Sequence, residues 1–310
     1  MSEPASKKKV FGVAVIACVA VAAASLWWQS GDATADADAN DSRRPSDMSS
    51  LAIGNDDGEP VDASESAPTI EALLDQATEA VDGMSETLWD YTATFVKRER
   101  SDGKLGPEGR MFIRAQTRFG PNDAAKPRRV YLRFEAPEPL NGREVLWGED
   151  LYDGKMAVHE TAFLLNLKTI WLDPEGLIAM QGQRYPISEI GLVKLAEKLV
   201  ERGESLREEP NIRVAMASEV FDGADVTRYR IERDPSQRDP QASIDAGDFA
   251  IAEVVIDFER NLVLEFASWD WPEGDAPPAL IESYAYRDVQ TNVGLEDDDF
   301  RVDNPAYDFP

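Results

Sequence analysis

The chain has 310 residues, 43% of them apolar, and carries a formal net charge of −27 with one histidine and one cysteine. So acidic a surface repels phosphate backbones, which excludes nucleic acid as a partner, and keeps the chain off anionic lipid except through a dedicated apolar segment. A single cysteine excludes an internal disulfide and a thiolate metal cluster, so stability has to come from an apolar core, for which the length is ample.

Lys7, Lys8 and Lys9 precede an almost uninterrupted apolar run from Val10 to Trp28. Cations followed by a bilayer-length apolar run make the pattern of a signal anchor or a long signal peptide. The lysines favour an orientation with the N-terminus inside, and Trp27 and Trp28 stand where an interfacial aromatic belt would be. Residues 1–30 are therefore expected to be a membrane anchor or signal segment. The expected location is a bacterial inner membrane, crossed once through residues 10–28, with the remainder in the periplasm. Three fates remain open: an uncleaved anchor, secretion after cleavage near Ala33-Thr34-Ala35, or lipidation at Cys18. Residues 31–68 are rich in Asp, Ala, Ser, Gly and Pro, a composition that cannot bury enough surface to fold and reads as an acidic tether.

Thr69 begins a helix in which Ile70, Leu73, Leu74, Ala77 and Val81 share one face, with Thr69 as cap and Gly83 as stop. A second helix is expected over 188–202, with Leu192, Leu195, Ala196 and Leu199 on one face, Ser188 as N-cap and Gly203 as stop. Most of the rest alternates with period two. Trp89, Tyr91, Ala93 and Phe95 form one parity, and so do Met111, Ile113 and Ala115. Val130, Leu132 and Phe134 follow, then Val145 and Trp147. One dry face and one wet face is the signature of an antiparallel sheet. Asp153-Gly154 turns the chain into a strand over 155–160. Later strands fall at about 212–220, 226–233, 249–258, 262–269 and 280–289, with a polar connection over 234–248. The expected fold is α+β. Residues 69–310 form one strongly curved antiparallel sheet, an incomplete barrel, with two main helices on its concave face.

The stretches DYTATFVKRER, DGKLGPEGRMFI, VYLRFEAPEPLNGREVLW, DPEGLIAMQGQRYPISEIGL and LEDDDFRVDNPAYDF resemble the bacterial family called domain of unknown function 1571, over about Ile70 to Pro310. More distantly, the plan is similar to the lipoprotein-carrier (LolA/LolB-like) superfamily. The likeness lies in the opening helix, RRVYLRFEAP before the LYDGK hairpin, and VVIDFERNLVLEFASWD before IESYAYRDVQTN. That resemblance implies a half-barrel plugged by helices, with an apolar cavity that takes acyl chains. An anchored copy would be a local receptor, a sensor or an envelope-assembly component rather than a shuttle.

Chemistry-bearing motifs are few. His159 stands beside Glu160 with no nucleophile motif near it and reads as a surface or cavity-edge residue. No G-x-S-x-G and no H-E-x-x-H occurs. The run Glu296 to Asp299 lacks the alternate spacing of a calcium loop and reads as the acidic start of a short helix. The chain is thus expected to have no catalytic residues, no metal and no cofactor. The expected ligand is a lipid, acyl chain or lipoprotein. Its cavity wall would be Trp89, Tyr91, Phe95, Ile113, Leu132, Phe134, Val145 and Trp147, and its lid Leu73, Leu74, Leu192 and Leu195. The alternative is a non-catalytic interaction or sensor module with a filled core. A cavity of about 300 Å³ or more separates the two readings, and a buried polar cluster around His159 would reopen catalysis.

Overall fold

The computed structural model describes residues 68–162, 166–239 and 248–310. The anchor assigned to 1–30 and all but Pro68 of the tether assigned to 31–68 lie outside these. Among the described residues, no helix is long and apolar enough to cross a membrane.

Helix α1 spans Ile70–Thr87, and the Thr69 hydroxyl accepts the Ala72 amide at 3.2 Å as its cap. Gly83 does not end it. The helix runs on for another turn, and Gly83 within it packs against the Asn261 side chain, where a Cβ would sit 3.0 Å away. Twelve strands follow in one sheet. The first seven are β1 (Asp90–Ser101), β2 (Lys104–Leu105), β3 (Gly109–Gln116), β4 (Arg129–Ala136), β5 (Glu144–Gly148), β6 (Met156–His159) and β7 (Ile170–Leu172). After helix α2 (Leu192–Glu204) come β8 (Arg213–Phe221), β9 (Ala224–Glu232), β10 (Ile251–Asp257), β11 (Leu262–Trp269) and β12 (Leu280–Thr291).

The strand order is β7-β6-β5-β4-β3-β1-β12-β11-β10-β9-β8, every pair is antiparallel, and β2 adds to β1. Two meanders are thus joined by the pairing of the first strand with the last, and the sheet stays open because β7 and β8 are its two edges. This order dictates where α2 goes. The chain leaves the sheet at one edge and re-enters at the other, so residues 173–212 have to cross a face. A flat sheet of eleven strands about 4.8 Å apart would be about 48 Å wide. Two helices about 10 Å across cover less than half of that. One core cluster nevertheless joins Met156 and Val158 of β6, Tyr229 and Ile231 of β9, Leu74 of α1 and Leu192 of α2. The sheet therefore bends around the helices.

Helix α2 starts four residues later than its sequence suggests. Ser188 lies in a short 3-10 turn, Ile187–Glu189, and Gly191 takes the cap position at φ 132°, a backbone geometry that side chains rarely adopt. The amides of Gly191 and Leu192 donate to the hydroxyls of Tyr286 and Tyr91, each at 3.0 Å. Two orphan donors of the helix N-terminus are thereby satisfied by strand tyrosines rather than by a local serine. Gly203 lies within the helix, not beyond it. It is where α1 and α2 touch, and a Cβ there would meet Leu74 Cδ2 at 2.2 Å.

The expected wet face is covered over β4 to β6. Residues 296–309 lie across it, and the Tyr131 and Tyr307 rings stack 4.0 Å apart beside buried Leu146 and Ala157. Arg129 holds the segment through Asp297 at 2.5 Å and is itself oriented by Asp150 at 2.6 Å. The expected acidic helix start is a 3-10 turn, Asp297–Phe300, closed by a reciprocal capping box between Glu296 and Asp299.

Candidate functional site

Strand β1 places Tyr91, Ala93 and Phe95 on the helix side of the sheet, and the same parity continues into Lys97 and Glu99, both buried. The register sets Lys97 opposite Tyr284 and Glu99 opposite Glu282 on β12. Two carboxylates directly across a strand pair repel one another, so they require cations. Lys97 Nζ lies 3.0 Å from Glu99, and Arg184 Nε and Arg202 Nη1 lie 3.1 and 2.9 Å from Glu282. The Tyr284 hydroxyl donates to Glu99 at 2.7 Å and the Tyr185 hydroxyl to Glu282 at 3.1 Å. Lys97 also donates to the Gln183 side-chain oxygen, and Arg202 to the Tyr185 hydroxyl. Burial, and then the charge of Glu99, pushes the Tyr284 phenol well above its ordinary value; burial and Glu282 raise that of Tyr185. Both remain hydrogen-bond donors at neutral pH.

Two grooves meet at this network, and both are lined by Lys97, Tyr185 and Ile190. The larger spans about 910 Å³, part of it open solvent, between β3 to β7 and the crossing segment. Its wall is Met111, Leu132, Phe134, Val145, Met156 and Val158, faced by Ile170, Leu172, Ile178 and Ala179. The smaller, about 530 Å³ and likewise partly open, lies between α2 and β1, β11 and β12, with Phe95, Leu195, Leu199, Phe266 and Tyr286 in its wall.

The twelve residues expected at a cavity are distributed as follows. Leu132, Phe134 and Val145 line the larger groove, and Phe95 and Leu195 the smaller. Tyr91, Ile113, Trp147, Leu73, Leu74 and Leu192 are packed in the core. Trp89 precedes β1, is half-buried, and keeps its indole Nε1 out of water without a hydrogen-bond partner. The charged network was not anticipated, although it leaves a sequence signal. Lys97 and Glu99 occupy the parity that Tyr91 and Phe95 mark as dry.

His159 is a correction: it is buried, not at a surface or cavity edge. Its Nδ1 lies 3.4 Å from Glu144 Oε2, short of a hydrogen bond, and Tyr131 donates to Glu144 Oε1 at 2.5 Å. The reason is the C-terminal segment. The Asp308 amide donates to Glu144 at 2.8 Å, and the Phe309 ring lies 6.0 Å from the imidazole. This polar cluster exists, but it sits on the face away from the grooves and is roofed by residues 296–309. Among the described residues no group of His, Cys, Asp and Glu is arranged to hold a metal ion.

A sequence model of the family described as "Protein of unknown function (DUF1571)" matches residues 88–309. No curated protein matches the chain. Among solved structures, a putative outer membrane lipoprotein-sorting protein domain from Vibrio parahaemolyticus is similar at 13% identity, over 75% of this chain and 97% of that one, with a TM-score of 0.34. LprF from Mycobacterium bovis is similar at 9% identity, over 74% and 98%, with a TM-score of 0.39. A LolA superfamily protein from Nitrosomonas europaea is similar at 9% identity, over 76% and 98%, with a TM-score of 0.28. Scores this low carry no function across.

Proposed function

The chain belongs to the DUF1571 family of proteins of unknown function, and for it we propose a binding role, not a catalytic one: the larger groove takes the apolar chain of a lipid or lipoprotein. The observation that carries this reading is the groove itself. Strands β3 to β6 supply one apolar wall and the crossing segment the other, so the trough is apolar on both sides. Each methylene moved from water into such a trough contributes roughly 0.8 kcal/mol. Phe134 is half-buried in that wall, beside Arg143. Replacing it with Glu puts a carboxylate against the bound chain, at a cost of several kcal/mol. Native mass spectrometry of the full chain with extracted membrane lipids is the test. A lipid adduct on the wild type that disappears in Phe134→Glu, with both proteins still melting cooperatively, is the expected outcome. A folded wild type with no adduct overturns the reading.

A set of exposed apolar side chains favours one alternative. Leu177 is 94% exposed, Leu167 71% and Trp171 41%, and Leu177 lies in the segment that crosses the larger groove. If lipid does not bind, that surface makes the domain an interaction or sensor module of the envelope. In either case we place the domain on the periplasmic side of a bacterial inner membrane, held by residues 10–28, on the strength of Lys7 to Lys9 before the apolar run. A reporter fused after Pro310 should be active only when exported; one active in the cytoplasm contradicts this placement.

A further inference from the structure

The two edges of the sheet are not alike. Strand β7 is three residues long and is followed at once by Asp173-Pro174, and proline next to a short edge blunts it. Strand β8 is nine residues long, and each of the nine pairs with β9 without a register shift. Its sequence, RVAMASEVF, has no proline and no lysine, and it carries no bulge, so the usual protections of an edge are missing. Among the described residues β9 is its only strand partner, and its outer row of amides and carbonyls meets no other strand.

The side chains along this edge define what can lie against it. Met216 stands opposite Tyr229, whose hydroxyl donates to Gln76 of α1, and Val214 stands opposite Ile231 of the core. The even-numbered residues of β8 therefore point to the helix side, where Val220 is 70% exposed and Met216 44%. The odd-numbered residues point to the outer face, where Glu219 meets Arg228 at 2.8 Å. Arg213, at the other end of that face, has a side chain 81% exposed although it pairs with Glu232.

A strand that matches this pattern is β8 itself. Antiparallel pairing of two copies about Ala217 sets Val214 against Val220, Met216 against Ser218 and Ala215 against Glu219, and in this register all nine residues pair. The exposed Val220 is then covered by a valine, and the two Met216 side chains become diagonal neighbours within reach of each other. On the outer face, Arg213 of each copy stands diagonal to Glu219 of the other. No like charges fall opposite one another, and the strand has no net charge in a chain of −27. A twofold axis through the Ala217 pair, perpendicular to the sheet, leaves both helix layers on the same side.

We propose that two copies of this chain pair through β8, antiparallel about Ala217, into one continuous sheet. Register-specific cross-linking of the full chain tests this, in a Cys18→Ser background so that the introduced thiol is the only one. Ala217→Cys places two thiols directly opposite, within the roughly 7 Å between Cα atoms that a disulfide spans. Ala215→Cys places them four residues out of step, about 13 Å along the strands, which is too far to bridge. Mild oxidation should therefore link most of the Ala217→Cys protein into covalent dimers and little of the Ala215→Cys protein. Native mass spectrometry should show the wild type as a dimer and Met216→Asp as a monomer, because two carboxylates then meet at the centre of the pair. Met216 is exposed in the single chain, so the variant should keep its thermal midpoint. If it does not, the cross-links alone decide. Equal cross-linking at both positions, or a dimer that survives in folded Met216→Asp, overturns the inference and places the association elsewhere in the chain. A wild type that stays monomeric overturns it too; slow amide exchange over residues 213–221 in that monomer would assign the edge to the chain's own residues upstream of Pro68.

Discussion

Gly203 shows how one missing methyl group sets the geometry of the helix layer. In an ordinary helix, replacing glycine by alanine stabilises by about 1 kcal/mol. Here the new Cβ would lie 2.2 Å from Leu74 Cδ2, and Leu74 is buried on α1. Overpacking of that kind costs about 1–3 kcal/mol. Gly203→Ala is therefore expected to lower the thermal midpoint, against its propensity; a raised midpoint would show that the two helices separate freely. Gly191 is different, since its constraint is angular and its amide is committed to the Tyr286 hydroxyl. The residue scale also explains the position of the charged network. Glu99 and Glu282 face one another because the β1–β12 register puts them there, and Lys97, Arg184 and Arg202 gather around the pair.

At the scale of elements, the C-terminal segment behaves as a strap over β4 to β6, and its hold depends on two stacked phenols. Burial pushes the Tyr307 phenol up to about 12, and burial together with the Glu144 carboxylate raises that of Tyr131 further. A phenol whose value is raised on folding contributes stability that is complete below the unfolded value of 10.0 and is lost as pH rises from there through the folded value. The strap is thus expected to loosen in the window from about 10 to about 12. Tyrosinate absorbance followed alongside hydrogen exchange at residues 296–309 measures it. Tyr307→Phe should remove part of the alkaline loss; equal loss in the mutant would place its origin elsewhere. How far the elements were legible follows from the range of the forces that set them. The α1 cap at Thr69 and the strand Leu262–Trp269 were readable because each rests on neighbouring residues. The start of α2 was not, because its capping hydroxyls are 95 and 101 positions away. The outer face of β4 to β6 looked wet because Tyr131 and Glu144 are polar, and only the strap makes them interior. Of the groove wall, alternation identified the face but not which part of it the helices leave uncovered. Leu132 and Phe134 therefore line a groove, whereas Ile113 on the neighbouring strand is core.

At the scale of the whole molecule, the pairing of β1 with β12 joins segments that are far apart in the chain. The Trp89 amide donates to Asn292 at 2.9 Å across 203 positions, and β1 and β12 then run together from Tyr91 and Thr291 to Glu99 and Glu282. The seam lies in the middle of the sheet, and the charged junction is built on it. Order of emergence follows from this. A chain synthesised N-terminus first holds β1 ready long before β12 exists. Until the last strands arrive, β1 and β11 are naked edges able to pair with any other extended chain. Non-local closure of this kind is also slow. The junction between the grooves, which needs Glu282 of β12, is therefore among the last parts of the domain to form. A translation product that stops before residue 280 has two half-sheets, no Glu282, and no junction between its grooves.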